Sequence, residues 1–146
     1  MPLSWVLRDP WNAGVRSLIR RERVAGYEIS FWTPEHERVE CEAAVYRSTA
    51  GASRVFGQRY RSFEEFVAQL GGRSTRISRI GQDTAAFRTA GRLGNGLVVV
   101  WRYRNVLARC ASLNPSSRQE TILLARLQQR RITRALAPRS REVPRG

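Results

Sequence analysis

The sequence predicts an α+β domain: a single antiparallel β-sheet of five to six strands with helices packed on one face, in the order α-β-β-α-β-β-β-β-α. Three observations carry this expectation. Several short runs alternate apolar and polar residues, the period of a half-buried strand. Two longer stretches, from Ser48 and from Ser117, switch to the 3.6-residue period of an amphipathic helix. Between the strand-like runs, Gly81-Gln82-Asp83, Gly94-Asn95-Gly96 and Arg104-Asn105 are turn signals that join one run directly to the next.

The elements follow in order. Asp9-Pro10 is a helix start, a capping acceptor followed by proline at the first helical position. Trp11, Val15, Leu18 and Ile19 then recur at helical spacing, predicting a short helix over about 10–22, weakened by Gly14. Tyr27, Ile29 and Phe31 alternate with Glu28 and Ser30 as a first strand, and Thr33-Pro34 through Glu37 reads as a turn. Val39, Cys41, Ala43 and Val45 form the inward register of a second strand, with Glu40 and Glu42 facing out.

From Ser48 to Gly71, residues Ala52, Val55, Phe56, Tyr60, Phe63, Phe66, Val67 and Leu70 make one broad apolar stripe, ended by Gly71-Gly72. Ser62 with Glu65 resembles a capping box and marks a candidate break. Residues 73–112 then read as four short strands. Leu97, Val99, Trp101 and Tyr103 alternate with Arg102 and Arg104; Val106, Ala108 and Cys110 share a face opposite Arg109.

Asn114-Pro115 and the Ser117…Glu120 pair start a last helix. Its inner side gathers Leu124, Ala125, Ile132, Ala135 and Leu136, and its outer side Arg126, Arg130 and Arg134. Ala137-Pro138 stops it. The predicted organisation is one domain over 1–137 and a basic, disordered tail over 138–146.

The 146 residues suit one domain and exclude a two-domain enzyme. All 26 basic residues are arginine, against 12 acidic residues, for a net charge of +14. The absence of lysine reads as the codon habit of a GC-rich genome. Placement is more informative. Residues 73–109 carry eight arginines against Asp83, and residues 110–146 carry eight against Glu120 and Glu142, so 13 of the 14 excess charges lie after residue 72. That asymmetry favours an anionic partner: nucleic acid, membrane surface or acidic polymer. No apolar run approaches the roughly 20 residues of a membrane span. The apolar stretch after Met1 ends at Leu7, which excludes a signal peptide there and predicts a cytoplasmic chain if Met1 is its start.

Catalytic constellations are scarce. His36 is the only histidine, in an acidic turn between Glu35 and Glu37, and a base or metal role needs converging partners. Cys41 and Cys110 form no CxxC pair, and nucleophilic catalysis by either needs a histidine base. Both fall in the inward register, as buried thiols or as a cross-strand disulfide. No serine sits in a nucleophile elbow, and Gly91…Gly94…Gly96 lacks phosphate-loop spacing. No catalytic residue, cofactor or metal ligand is assigned. Trp32 falls in the outward register of the first strand and is a candidate contact aromatic. Arg102, Arg104 and Arg109 on neighbouring strands, with Arg126, Arg130 and Arg134 on the last helix, are the candidate anion or partner surface. Leu123 and Leu127 sit within the helical stripe, which points to contact with protein. Exposed aromatics or a recognition helix, the marks of a nucleic-acid module, are not evident.

The segments RVAGYEISFW, VYRSTAGASRVF, RIGQDTAAF, VVVWRYRNVLARCAS and LARLQQRRI, in that order over about residues 18–136, resemble exported α+β proteins and lipoproteins of high-GC bacteria, with sensor-like extracytoplasmic domains. The matching positions are Gly26-Tyr27, Tyr46, Gly51-Ala52, Gly81 with Asp83, Trp101-Arg102, Asn105 and Leu124 to Ile132. Two departures stand out: the export signal is absent, and Gln82 interrupts the Gly-Asp turn. The resemblance implies a non-enzymatic binding or sensor-like domain of the cell envelope and supplies no catalytic residues. The alternative is a basic nucleic-acid- or polyanion-binding protein of the cytoplasm.

Overall fold

A computed structural model describes residues 20–32, 38–69, 71–90, 95–113 and 118–138. Six strands form one sheet: β1 (Arg23–Trp32), β2 (Arg38–Tyr46), β3 (Arg73–Thr75), β4 (Asp83–Thr89), β5 (Gly96–Tyr103) and β6 (Val106–Leu113). Their spatial order is β1-β2-β6-β5-β4-β3, and each neighbouring pair is antiparallel. Two helices, α1 (Thr49–Gln69) and α2 (Arg118–Ala135), accompany them. Residues 20–22 are helical and lead into β1. The rest of the helix expected over 10–22, the turn over 33–37 and the tail from 139 onward lie outside the described residues.

The sheet and the element order are those the sequence predicts. The placement of the helices differs: α1 covers one face of the sheet and α2 the other. Ala44, Tyr46, Phe87, Val98, Val100, Leu107 and Ala111 pack with Ala52, Val55, Phe63 and Val67 of α1. Ala43, Ala86, Leu97, Val99, Trp101, Val106, Ala108 and Cys110 pack with Ala125 and Ile132 of α2. The physical reason lies in β5, where Leu97 through Trp101 are apolar at both parities and all buried. A strand that reads as a continuous apolar run has cover on both sides, whereas strict alternation leaves one side wet.

Local chemistry fixes the ends. Ser48 caps α1, its Oγ accepting from Gly51 N at 2.9 Å. The helix then runs unbroken past Ser62, because Val55 and Phe63 on either side of that point are buried against the sheet. Gly71 N donates to Ala68 O and Gly72 N to Val67 O, closing its last turn. Gly81 has φ +69°, and a Cβ there would lie 2.5 Å from Arg102 O, so only glycine fits the entry to β4. On α2, Thr121, Ala125, Gln128 and Ile132 are buried, while Ala135 of the expected inner side is exposed.

Candidate functional site

Because α1 lies over the face that carries Glu40, Glu42 and Arg109, those side chains are inside the protein. This corrects the expectation that Glu40, Glu42 and Arg109 face outward. Glu42 stands opposite Arg109 in the β2–β6 ladder and opposite Glu28 in the β1–β2 ladder. Its Oε2 accepts from Arg59 Nη2 at 3.0 Å and lies 3.5 Å from Arg109 Nε; its Oε1 lies 3.7 Å from Arg23 Nη1. Arg109 also reaches Glu40 at 3.3 Å. Three guanidinium groups from β1, α1 and β6 thus converge on one carboxylate from β2, and all four side chains are at least 95% buried.

The approach of Arg23 depends on Gly26. A Cβ at Gly26 would sit 2.0 Å from Arg23 Nη2 and 2.9 Å from Ala43 O. The missing side chain leaves the channel through which Arg23 folds back along β1, beside a register shift between Arg23 and Ala25.

The electrostatics follow from the packing. Burial alone would push the Glu42 carboxyl up. The Arg59 and Arg109 charges, the Arg59 hydrogen bond and the Arg23 charge overcome that effect and hold it at about 2. Tyr46, beside the cluster, is pushed up to about 12 by burial, with Glu42 raising it further against the opposing charges of Arg59 and Arg23. Neither group changes protonation near neutral pH. The cluster is a charged lock between α1 and three strands.

Arg102 is also internal. It pairs with Asp83 and donates from Nη1 to Gln82 Oε1 at 3.1 Å and to Arg104 O at 3.0 Å. Gln82 N donates to Arg102 O at 2.8 Å, and Arg104 N donates to Gln82 Oε1 at 2.7 Å. The residue that interrupts the Gly-Asp turn is therefore the one that ties the turn to the β5–β6 hairpin. Arg104 is exposed with φ 54°, stacks over Tyr103 at 5.5 Å and donates from Nη1 to Leu136 O at 3.2 Å, capping the end of α2. Arg118, at the other end of α2, donates to Arg76 O at 2.8 Å and to Thr75 Oγ1 at 3.3 Å, tethering α2 to β3.

Apart from Arg104, what remains exposed of the predicted surface is the far face of α2. Arg126, Arg130 and Arg134 are exposed there at four-residue spacing. Leu123 and Leu127 are 56% and 45% exposed on the same helix. Tyr27 of β1, 46% exposed, lies beside it, its hydroxyl accepting from Gln128 Nε2 at 3.3 Å. The structure thus separates the predicted surface: Arg126, Arg130, Arg134, Leu123 and Leu127 share one exposed helix, whereas Arg102, Arg104 and Arg109 serve the fold. The side chain of Trp32 and all of His36 lie outside the described residues.

Sequence reading missed Arg23, Arg59 and Glu42. The available signal was Arg59 itself, an arginine in the i+4 row of Val55, Phe63 and Val67. It also missed Gln128, whose Nε2 donates to Glu42 O at 2.9 Å and whose Oε1 accepts from Cys110 Sγ at 3.0 Å. Among the described residues, no group of three or more His, Cys, Asp or Glu is placed to hold a metal ion, and no helix is long and apolar enough to cross a membrane.

The described geometry defines a class: a six-stranded antiparallel sheet with one helix on each face, tied by internal ion pairs, and a basic helix outermost. Its fold is similar to the extracellular domain of PknH from Mycobacterium tuberculosis, with a TM-score of 0.52, 10% identity, and coverage of 84% of this chain and 70% of that one. No protein-family model matches the sequence, and no curated protein matches it.

Proposed function

We propose that the chain is a non-catalytic binding domain that takes an acidic segment of a partner protein on the outer face of α2, and that it works outside the cytoplasm. One observation carries the contact: Leu123 and Leu127 stand exposed within the stripe of Arg126, Arg130 and Arg134. Neighbouring apolar side chains ringed by guanidinium forks suit a partner presenting apolar residues flanked by carboxylates. A purely phosphate-tracking face needs no leucines. The extracytoplasmic setting is supported by the resemblance of the sequence segments to exported proteins, and by likeness of fold to a protein named as an extracellular domain.

Fluorescence anisotropy with two probes tests the reading: an amphipathic peptide of Asp, Glu and Leu, and a 20-base-pair DNA duplex (about two helical turns). The peptide should bind, and the double variant Leu123→Ser/Leu127→Ser should weaken it by roughly tenfold or more. DNA binding that ignores the leucine variants, falls steeply with salt and exceeds peptide binding would replace this reading with the nucleic-acid one.

A further inference from the structure

Cys41 and Cys110 take no part in the α2 surface, yet the fold brings them face to face. They stand directly opposite each other in the β2–β6 ladder, with Sγ atoms 3.0 Å apart, on the α2 side of the sheet. Directly opposed residues of an antiparallel pair have Cα atoms about 4.5–5.5 Å apart, within the roughly 4.4–6.8 Å over which a disulfide closes without backbone movement. The two thiols are unequal. Cys41 is half-buried and reachable, and Cys110 is sealed. Hydrogen bonding with the Cys110 thiol, aided by the Arg109 charge, holds the Cys41 thiol below its ordinary value against the opposing effect of burial. The same contact, together with burial, pushes Cys110 up.

We infer that Cys41 and Cys110 are a redox dithiol that closes to an intrachain disulfide by exchange with a disulfide-bearing oxidant, stapling β2 to β6. Cys41 is the attacking group. Its thiolate takes one sulfur of the oxidant disulfide, forming a mixed disulfide and expelling the other sulfur as a thiolate, which carries off the Cys41 proton. Cys110 then gives up its proton and attacks Cys41 Sγ, expelling the second oxidant sulfur as a thiol. Two electrons and two protons leave the pair, and the oxidant becomes two thiols.

Closure has a consequence inside the fold. In the neutral dithiol, Cys41 S–H donates to Cys110 Sγ, which leaves the Cys110 S–H to donate to Gln128 Oε1. The disulfide has no proton to donate, so Gln128 keeps only its Nε2 bonds to Glu42 O and Tyr27 Oη. Oxidation thereby removes one contact between β6 and the helix that carries the exposed arginines.

The test uses the wild-type chain in oxidised glutathione, followed by acid quench, alkylation by iodoacetamide under denaturation, and intact mass. The expected product is a monomer lighter by two hydrogens, with neither cysteine alkylated and with Tm about 5–15 °C above the dithiol form, reversed by dithiothreitol. In Cys110→Ser, glutathione should accumulate on Cys41. If that variant fails to fold, a rapid-quench time course of the wild type should show the same adduct giving way to the closed form. Two alkylated cysteines after excess oxidant, a glutathione adduct that persists on wild-type Cys41, or disulfide-linked dimers in place of the closed monomer would each overturn the inference.

Discussion

Glu42→Gln removes the carboxylate on which Arg23, Arg59 and Arg109 converge while preserving its shape. The carboxyl lies at about 2 in the fold against an ordinary value of 4.5, a difference worth about 3 kcal/mol at neutral pH. Leaving buried guanidinium groups without that counter-charge costs a similar amount, about 3–5 kcal/mol. Against a typical domain stability of about 5–15 kcal/mol, the loss is large. The sign of the pH dependence is fixed by the direction of the shift. A carboxyl depressed on folding contributes fully above its unfolded value and loses its contribution as pH falls through its folded value. Urea unfolding of both proteins from pH 7 down to pH 2 reads this directly. At pH 7 the midpoint of the variant should fall by about 1–3 M. The gap between the two proteins should then narrow between pH 4.5 and about 2. Taking the difference between the proteins cancels the other carboxylates. A gap under about 1 kcal/mol at pH 7, or one that stays constant across the acid range, would refute the claim that Glu42 is the buried hub.

The other outcomes can be measured on the same apparatus. Arg23→Met should cost less than Glu42→Gln, roughly 1–2 kcal/mol, because it removes one of three mutually repelling charges and leaves the carboxylate paired. Gly26→Ala should destabilise by roughly 1–3 kcal/mol by driving a methyl into the Arg23 guanidinium, and Gly26→Ala combined with Arg23→Met should cost less than the sum. Gly81→Ala should cost roughly 1–3 kcal/mol, since its φ of +69° strains any side chain and its Cβ meets Arg102 O. Arg126→Glu, Arg130→Glu and Arg134→Glu should each move stability by less than about 0.5 kcal/mol, read as Tm, while the triple variant abolishes binding of the acidic peptide.

Strand parity was legible in the sequence, and depth was not. Val39, Cys41, Ala43 and Val45 do share a face, as do Val106, Ala108 and Cys110, because alternation is a property of the backbone. Which face is wet depends on what packs over it. Glu40, Glu42 and Arg109 alternate as solvent residues do, and they are polar because they answer one another across two strands and a helix, a pairing that exists only once register is set. The better clue was in β5, whose apolar residues at both parities require a second cover. The outer stripe of α2 was easier to see. Helical periodicity is local, and four-residue spacing alone places Arg126, Arg130 and Arg134 together.

The basic excess therefore means different things at different positions. At the cluster, arginine is required by geometry: Arg109 spans from Glu42 to Glu40 with one planar fork, and Arg59 crosses the gap from α1 to the sheet while staying charged when buried. A lysine in either place would offer one point charge and would shed its proton more readily on burial. On α2 no such demand exists, and charge and spacing are all that matter. A chain whose 26 basic residues are all arginine thus fills both roles with one side chain. Net charge counts these roles alike, and only the exposed one contributes to a binding field. On the proposed reading, the partner's acidity should accordingly scale with the stripe on α2 rather than with the +14 of the whole chain.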